Sequence, residues 1–382
     1  MILMNDFTAE PGALKAEMLA AVSRVIDSGW YILGKELESF ESAWAELCGV
    51  PNAVGVGNGM DAIEIALRSL DIGPGDEVIT TPMTAFATVL AILRAGATPV
   101  LADIDAETAL LDRDSVARCV SSKTRAVILV HLYGQLRDMA DWVKFCKLRN
   151  IHLIEDCAQS HLAVWQGRVA GGFGKAGAYS FYPTKNLGAL GDGGMLIASD
   201  PLLAERAARL RNYGQTVRYH HPENGINSRL DEIHAAMLQV RLKWLPAFTQ
   251  RRQEIASMYM RGIQNLLVRK LAEPQEPAAH VYHLYVVTCE HRDALQRHLH
   301  ICGVQTHIHY PIPVHHQESC RDVRRDPAGL INSEAHADQC LSLPCHPQMS
   351  QDHVITVVNA VNNFRQRRCG SNKMNGRDRY RC

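Results

Sequence analysis

Lys185 and Asp156 are the two residues of this chain whose types and settings suggest shared chemistry. Lys185 lies in SFYPTKNLGALGDGG, residues 180–194, beside an apolar run from Ala176 to Phe181 that reads as a strand. Glycines at 188, 191, 193 and 194 follow, so the lysine is predicted on a sharp, exposed turn. Upstream, Ile151 to Ile154 reads as a second strand that delivers Glu155 and Asp156 at its C-terminal end, where open α/β sheets bind ligands. An amine and a carboxylate converging there are what pyridoxal phosphate (PLP) requires. The lysine holds the aldehyde as a Schiff base, and the carboxylate keeps the pyridine nitrogen protonated as an electron sink. Taken alone, a lysine in a glycine-rich turn is ordinarily a solvated surface charge.

A phosphate needs donors of its own. The short strand Ala53 to Gly57 runs into Asn58-Gly59-Met60-Asp61 and then a helix with Ile63, Ala66, Leu67 and Leu70 on one face. Asn58 is a good N-cap. The backbone N–H groups of Gly59, Met60 and Asp61 at the positive end of that helix are therefore phosphate-cradle candidates, although a glycine before a helix is more often only a turn.

These residues need elements to carry them. Leu14 to Ile26 has apolar positions at helical spacing, and GWYILGKELESFESAWAEL reads as a turn and a second helix. GPGDEVIT enters a strand, residues 84–96 form a helix returning to the strand TPVLAD, and Arg125 to Val130 is a strand followed by a helix from Asp138 to Arg149. Strand and helix alternate, the signature of a parallel sheet. Met195 to Ser199 is a further strand, and a long helix from about Asp231 to Met260 leads into a block of different order. That block has strands at 280–288 and in GVQTHIHYPIPVHHQ, a helix from Arg292 to His300, and a last helix from Val354 to Phe364.

Three segments, EDCAQSH at 155–161, SFYPTKNLGALGDGG at 180–194 and NSRLDEIHAA at 227–236, resemble the DegT/DnrJ/EryC1/StrS family of PLP-dependent sugar aminotransferases. The resemblance runs from about Ser28 to Phe364 and implies a PLP fold type I: an α/β large domain with a mostly parallel sheet, over residues 1–248, and a smaller α+β domain over 249–366. It implies that Asp156 pairs with the pyridine nitrogen, that Gln159 lies against the cofactor, that Ser180 contacts its phosphate, and that Lys185 is both tether and proton carrier. Asn227 is expected to reach the cofactor phosphate of a neighbouring subunit, making an obligatory homodimer; it is equally placed to cap the helix that follows.

Two positions depart from the family pattern. Met60 stands where many members have Ser or Thr, and Phe86 comes one place after the position of their ring-stacking aromatic, which here is Ala85. One residue turns a helical side chain by about 100°, so Phe86 is either a shifted stacking residue or a core residue. Tyr31 in GWYILG, and His309 and Tyr310 in HYPIPVHHQ, are the substrate candidates. His161 and Arg229 each have a functional and a structural reading. A lysine at 185, where related sugar dehydratases carry histidine, favours transamination.

The expected activity is transfer of the amino group of L-glutamate, through pyridoxamine phosphate, to a keto group of a nucleotide-linked deoxy-keto-sugar by a ping-pong mechanism. The HYP-x-P form resembles that of family members acting at C3, and the resemblance therefore favours C3 over C4. The rivals are an L-glutamine-dependent keto-inositol aminotransferase and a non-catalytic protein that binds PLP or a sugar nucleotide.

Composition agrees with such an enzyme. At 382 residues the chain suits two domains, and 40 basic residues balance 40 acidic ones, which argues against nucleic acid or an anionic membrane surface as partner. Eleven cysteines without CxxC pairs, and no apolar stretch of signal or membrane-spanning form, point to the cytoplasm. His307, His309, His315 and His316 lack cysteines or acids at ligand spacing, so no metal is expected. The basic stretch from Arg365, with residues 367–382 as a tail, reads as disordered.

Overall fold

The computed structural model describes residues 1–365, and the expected tail lies outside the described residues. Helices α1 (Gly12–Ser28) and α2 (Lys35–Cys48) come first. In α1, Leu14, Met18, Ala21 and Val25 are buried at helical spacing, and both helices stop at glycines, 29 and 49, in the left-handed conformation. Strands and helices then alternate: β1 (Asn52–Val56), α3 (Gly59–Ser69), β2 (Glu77–Thr80), α4 (Phe86–Arg94), β3 (Thr98–Leu101), α5 (Arg113–Cys119), β4 (Thr124–Val130), α6 (Met139–Arg149) and β5 (His152–Asp156). The small hairpin β6 (Val164–Trp165) and β7 (Arg168–Val169) precedes β8 (Ala176–Ser180), β9 (Gly194–Ala198), α7 (Pro201–Leu210) and α8 (Glu232–Gly262). The rest comprises β10 (Arg269–Lys270), β11 (Tyr285–Thr288), α9 (Arg292–Ile301), β12 (Arg324–Arg325), α10 (Ile331–Gln339), β13 (Cys340–Leu343) and α11 (Gln351–Asn363).

The main sheet has the order β1-β9-β8-β5-β4-β2-β3-β12. Pairings from β8 to β12 are parallel, and β9 alone runs against both its neighbours. The sheet is buried on both faces, which is why its strands read as continuous apolar runs. In β4, Val127 and Leu129 join a core with Trp142, Phe145 and Leu238, whereas Ala126 and Ile128 join another with Ile63, Ala66 and Leu203. In β5, Leu153 belongs to the first core and Ile154 to the second, so the two-residue period sends Glu155 and Asp156 to opposite faces. This is the expected α/β architecture with a mostly parallel sheet.

Helix α8 joins the two layers. Ala235 and Leu238 pack into the main-sheet core, while Ile255 and Tyr259 pack with Tyr285 and Leu341 of a three-stranded antiparallel sheet, β10-β11-β13. Residue 248, the expected boundary, falls inside this helix. Two segments cross between the layers: Ile2 packs in the small-sheet core, and β12 pairs with β3 at the edge of the main sheet.

Two predicted strands are shorter or absent. Of residues 280–288 only 285–288 form a strand, because the backbone before it docks on the loop after β4: the Val281 N–H donates to the Gly134 carbonyl and the Leu136 N–H to that of Ala279. Residues 303–317 form bridges at Val304 and His307 and a 3-10 turn at Val314–His316 instead of a strand. Pro311 and Pro313, lacking N–H groups, cannot continue a ladder.

Candidate active site

At the C-terminal end of β5, Asp156 is buried on the α4 side. Its Oδ2 accepts from Thr88 Oγ1 at 2.8 Å, its Oδ1 accepts from the Ala158 N–H at 3.1 Å, and Thr88 in turn lies 2.8 Å from Thr84 Oγ1. Glu155 points the other way. Its Oε1 accepts from the Phe173 and Gly174 N–H groups, each at 2.7 Å, and its Oε2 from the Gly171 N–H at 2.8 Å, with His131 Nε2 at 2.9 Å. Of the two, Asp156 is the one whose charge acts on Lys185 and Tyr310, which together mark out the candidate cleft.

The loop after β8 presents Lys185 to the same cleft. Its backbone is held at each step: Lys185 N–H donates to Tyr182 O at 2.8 Å, Leu187 N–H to His161 Nδ1 at 3.0 Å, and Ala189 N–H to Phe181 O at 2.7 Å. Asn186 ties the loop to the second layer, donating to Val281 O at 3.0 Å and meeting His283 Nδ1 at 3.3 Å. Desolvation brings the Lys185 ammonium down to about 8, against the nearby Asp156 charge, which favours the protonated form. His161 is packed among Trp44, Tyr179 and Phe181, and burial pushes it down to about 3, so its ring is a neutral acceptor. The structural reading of His161 is thus the observed placement: it holds the lysine loop.

At the start of α3 the three expected donors differ. Asn58 Oδ1 accepts from the Asp61 N–H at 2.8 Å, so that donor is occupied. The Gly59 and Met60 N–H groups donate to no other group among the described residues. The Asp61 carboxylate is itself engaged, by Ser228 Oγ at 2.7 Å, Asn58 Nδ2 at 3.0 Å and Arg94 at 3.2 Å. Ser180, ending β8, closes on this helix start: a Cβ on Gly59 would fall 2.7 Å from the Ser180 Cβ, which only glycine avoids.

Tyr310 and Gln159 complete the cleft. Gln159 Nε2 donates to Tyr310 OH at 3.3 Å and its Oε1 accepts from the Tyr133 N–H at 2.6 Å. Burial, with the Asp156 charge adding to it, raises Tyr310 to about 12. His309 Nδ1 is 2.8 Å from Ser342 Oγ, and its ring is lowered to about 4 by burial and by the neighbouring His307 and Lys185 charges.

Phe86, at the first turn of α4, packs beside Val89, Leu101, Val314 and Leu330. The residue α4 turns towards Asp156 is Thr88, two positions on, and Phe86 is half-buried against that side cluster. Asn227 is exposed and bridges Asn212 through backbone, and the inward residue of that segment is Ser228, which also accepts from the Gly57 N–H at 2.9 Å. Arg229 donates to Asn212 Oδ1 at 3.1 Å and lies over the Tyr213 ring. Tyr31 is exposed, its carbonyl accepting from the Glu232 N–H. Sequence reasoning missed Thr88, Asn186 and His283; Thr84 and Thr88, four apart on one helical face, were the available signal for the first.

Comparison with known proteins agrees with this geometry. The sequence pattern of the DegT/DnrJ/EryC1/StrS aminotransferase family matches residues 13–362. The chain is 42% identical over 362 residues, 95% of its own length and 96% of the relative's, to the dTDP-3-amino-3,4,6-trideoxy-alpha-D-glucose transaminase of Streptomyces venezuelae. It is 44% identical over 348 residues, 91% of its length and 95% of the relative's, to the dTDP-3-amino-3,6-dideoxy-alpha-D-galactopyranose transaminase of Aneurinibacillus thermoaerophilus. The crystal structure of S. venezuelae DesV superposes with a TM-score of 0.90 at 41% identity, covering 94% of this chain and 97% of that one. With a cleft that gathers Lys185, Asp156, Gln159 and Tyr310 on this fold, the chain belongs to the DegT/DnrJ/EryC1/StrS family and is a PLP-dependent sugar aminotransferase.

Proposed function

We propose that this enzyme takes the amino group of L-glutamate and passes it to the C3 keto group of a nucleotide-linked deoxy-keto-sugar, one substrate leaving before the next enters. The observation that carries the reading is that the adjacent parallel strands β5 and β8 end side by side, one delivering Asp156 held by Thr88 and the other the loop of Lys185 held by His161 and Asn186, with the Asp156 charge acting on the ammonium. The 3-amino products in the names of both dTDP-sugar relatives support C3. Arg229, which has no acidic partner among the described residues, supports an anionic donor or a sugar diphosphate.

The residues present fit PLP: a buried carboxylate, an amine near neutrality, two unengaged N–H groups at a helix start and a hydroxyl beside them. When bound, PLP supplies an electron sink that acidifies the carbon bearing the amino group. Asp156 would hold the protonated ring nitrogen, with Thr88 orienting the carboxylate. Gln159 would lie against the ring, and Gly59, Met60 and Ser180 would hold the phosphate. Lys185 Nζ takes the proton from the donor α-carbon and, in the second half-reaction, delivers one to the sugar carbon that gains nitrogen. His309, Tyr310 and Tyr31 face the substrate. Asn227, exposed on its own subunit, is suited to reach the phosphate of a second subunit, which makes the enzyme a homodimer with shared sites.

The test is a visible spectrum of the PLP-loaded protein before and after L-glutamate or L-glutamine, followed by 3-keto and 4-keto nucleotide sugars. A glutamate-dependent loss of the band, restored only by a 3-keto sugar, is expected. Exchange with glutamine alone, or turnover by Lys185→Ala, overturns the reading.

A further inference from the structure

We propose that His315, His316 and Glu334 form a binding site for a borderline divalent transition-metal ion, Zn(II) in the first instance. The histidines are adjacent in the 3-10 turn Val314–His316, and Glu334 comes from the first turn of α10, a distance in sequence that hid the set from a search by spacing. Glu334 Oε1 lies 3.1 Å from His315 Nε2 and 3.6 Å from His316 Nε2, and the three ligand atoms are all within 4.8 Å of one another. An ion bound tetrahedrally at about 2.0–2.2 Å to nitrogen and oxygen holds its ligand atoms about 3.3–3.5 Å apart. The two histidine–glutamate separations bracket that spacing, and the histidine pair, within 4.8 Å, reaches it by side-chain rotation.

Both supports are rigid. The turn is pinned by the Val314 N–H, which donates to Pro82 O at 3.0 Å, and by burial of Val314 beside Val89 and Leu101. The start of α10 is pinned by Asp103, which accepts from the Asn332 and Ser333 N–H groups, each at 2.9 Å. The backbone that carries the three ligands is therefore held by contacts outside the site, and only side-chain rotation remains on binding. The His315 side chain is covered, while those of His316 and Glu334 are 53% and 48% exposed, which gives an entry path and leaves an outer coordination position for water. Imidazole and carboxylate donors without a thiolate suit Zn(II) or Ni(II) rather than a soft ion.

Two features set the affinity below that of a closed structural zinc site. Coordination through Nε2 moves the His315 ring proton to Nδ1, which is buried and has no partner among the described residues. The Arg325 charge also reaches His315. Bound there, the ion clips the end of the segment carrying His309 and Tyr310 to α10.

The experiment is titration of the tag-free, PLP-loaded enzyme with Co(II), read by visible d–d bands, followed by displacement with Zn(II). One equivalent per chain with a tetrahedral spectrum is expected, and His316→Ala and Glu334→Gln should each weaken it at least about ten-fold. His300→Ala, at an exposed histidine elsewhere, should not. No tetrahedral equivalent, or one that survives both substitutions, overturns the site. As a readout on the unsubstituted protein, Zn(II) should protect His316 from carbethoxylation, and equal modification with and without the ion overturns it too.

Discussion

Glu155 and Asp156 are neighbours in the chain and face opposite sides of the sheet: the first accepts from three backbone N–H groups at 171, 173 and 174, the second from Thr88. Their conservative substitutions should therefore differ. Glu155→Gln weakens a set of charge-assisted bonds in the core and should cost about 2–4 kcal/mol of folding stability. Asp156→Asn should change stability by less than about 1 kcal/mol and abolish turnover, since an amide cannot hold the ring nitrogen protonated. Urea unfolding and a turnover assay on both variants separate the roles. Equal stability losses would refute them.

Thr88 is expected to orient Asp156. Thr88→Val keeps the shape and removes the donor, at about 1–2 kcal/mol, which corresponds to roughly ten-fold weaker PLP binding. Fluorescence titration of the apo-protein measures it. Unchanged affinity would show that the hydroxyl does not matter to the cofactor.

The lowered Lys185 ammonium sets a pH profile. Below about 8 the side chain is mostly protonated and non-nucleophilic, so its reaction with added PLP should accelerate about ten-fold per pH unit up to that point and then level off. Stopped-flow absorbance from pH 6.5 to 10 follows it. A rate still climbing at pH 10 would mean an ordinary lysine.

Buried neutral histidines should make the fold acid-sensitive. Burial lowers His161 and His280 to about 3, and His336 to about 4. The unfolded chain takes up protons near pH 6.5 that the folded one refuses, so their contribution is intact above about 6.5 and is lost as pH falls towards 4. Melting temperatures at pH 7, 5.5 and 4.5 should decline. His161→Leu should lose about 1–3 kcal/mol at pH 7, because the buried Leu187 N–H has no acceptor, yet show a shallower acid slope. An unaltered slope would remove His161 from the account.

Much of the fold was legible because it is written locally. Apolar runs of strand length alternate with helical periodicities, and Asn58 caps α3 as its position before the helix implied. The misread segments are those whose backbone found distant partners: residues 280–284 turn away from their sheet to bond the loop at 134–136, and 303–317 was stopped by prolines. Phe86 could not be placed because a single residue of helical register turns a side chain by about 100°, enough to move it from the Asp156 side of α4 to its flank.

By itself, then, the sequence determined the alternating α/β order, the family, and the presence of a lysine and a carboxylate at strand ends, since periodicity, capping and turn chemistry act over a few residues. Only the tertiary structure decided what orients Asp156, which N–H groups at α3 stay available, and what grips the lysine loop. Those choices rest on partners far apart in the chain: Thr88 lies 68 residues from Asp156, and Asn186 lies 95 from Val281. Short-range pattern carries no information about contacts that exist only once the sheet and its second layer have closed on each other.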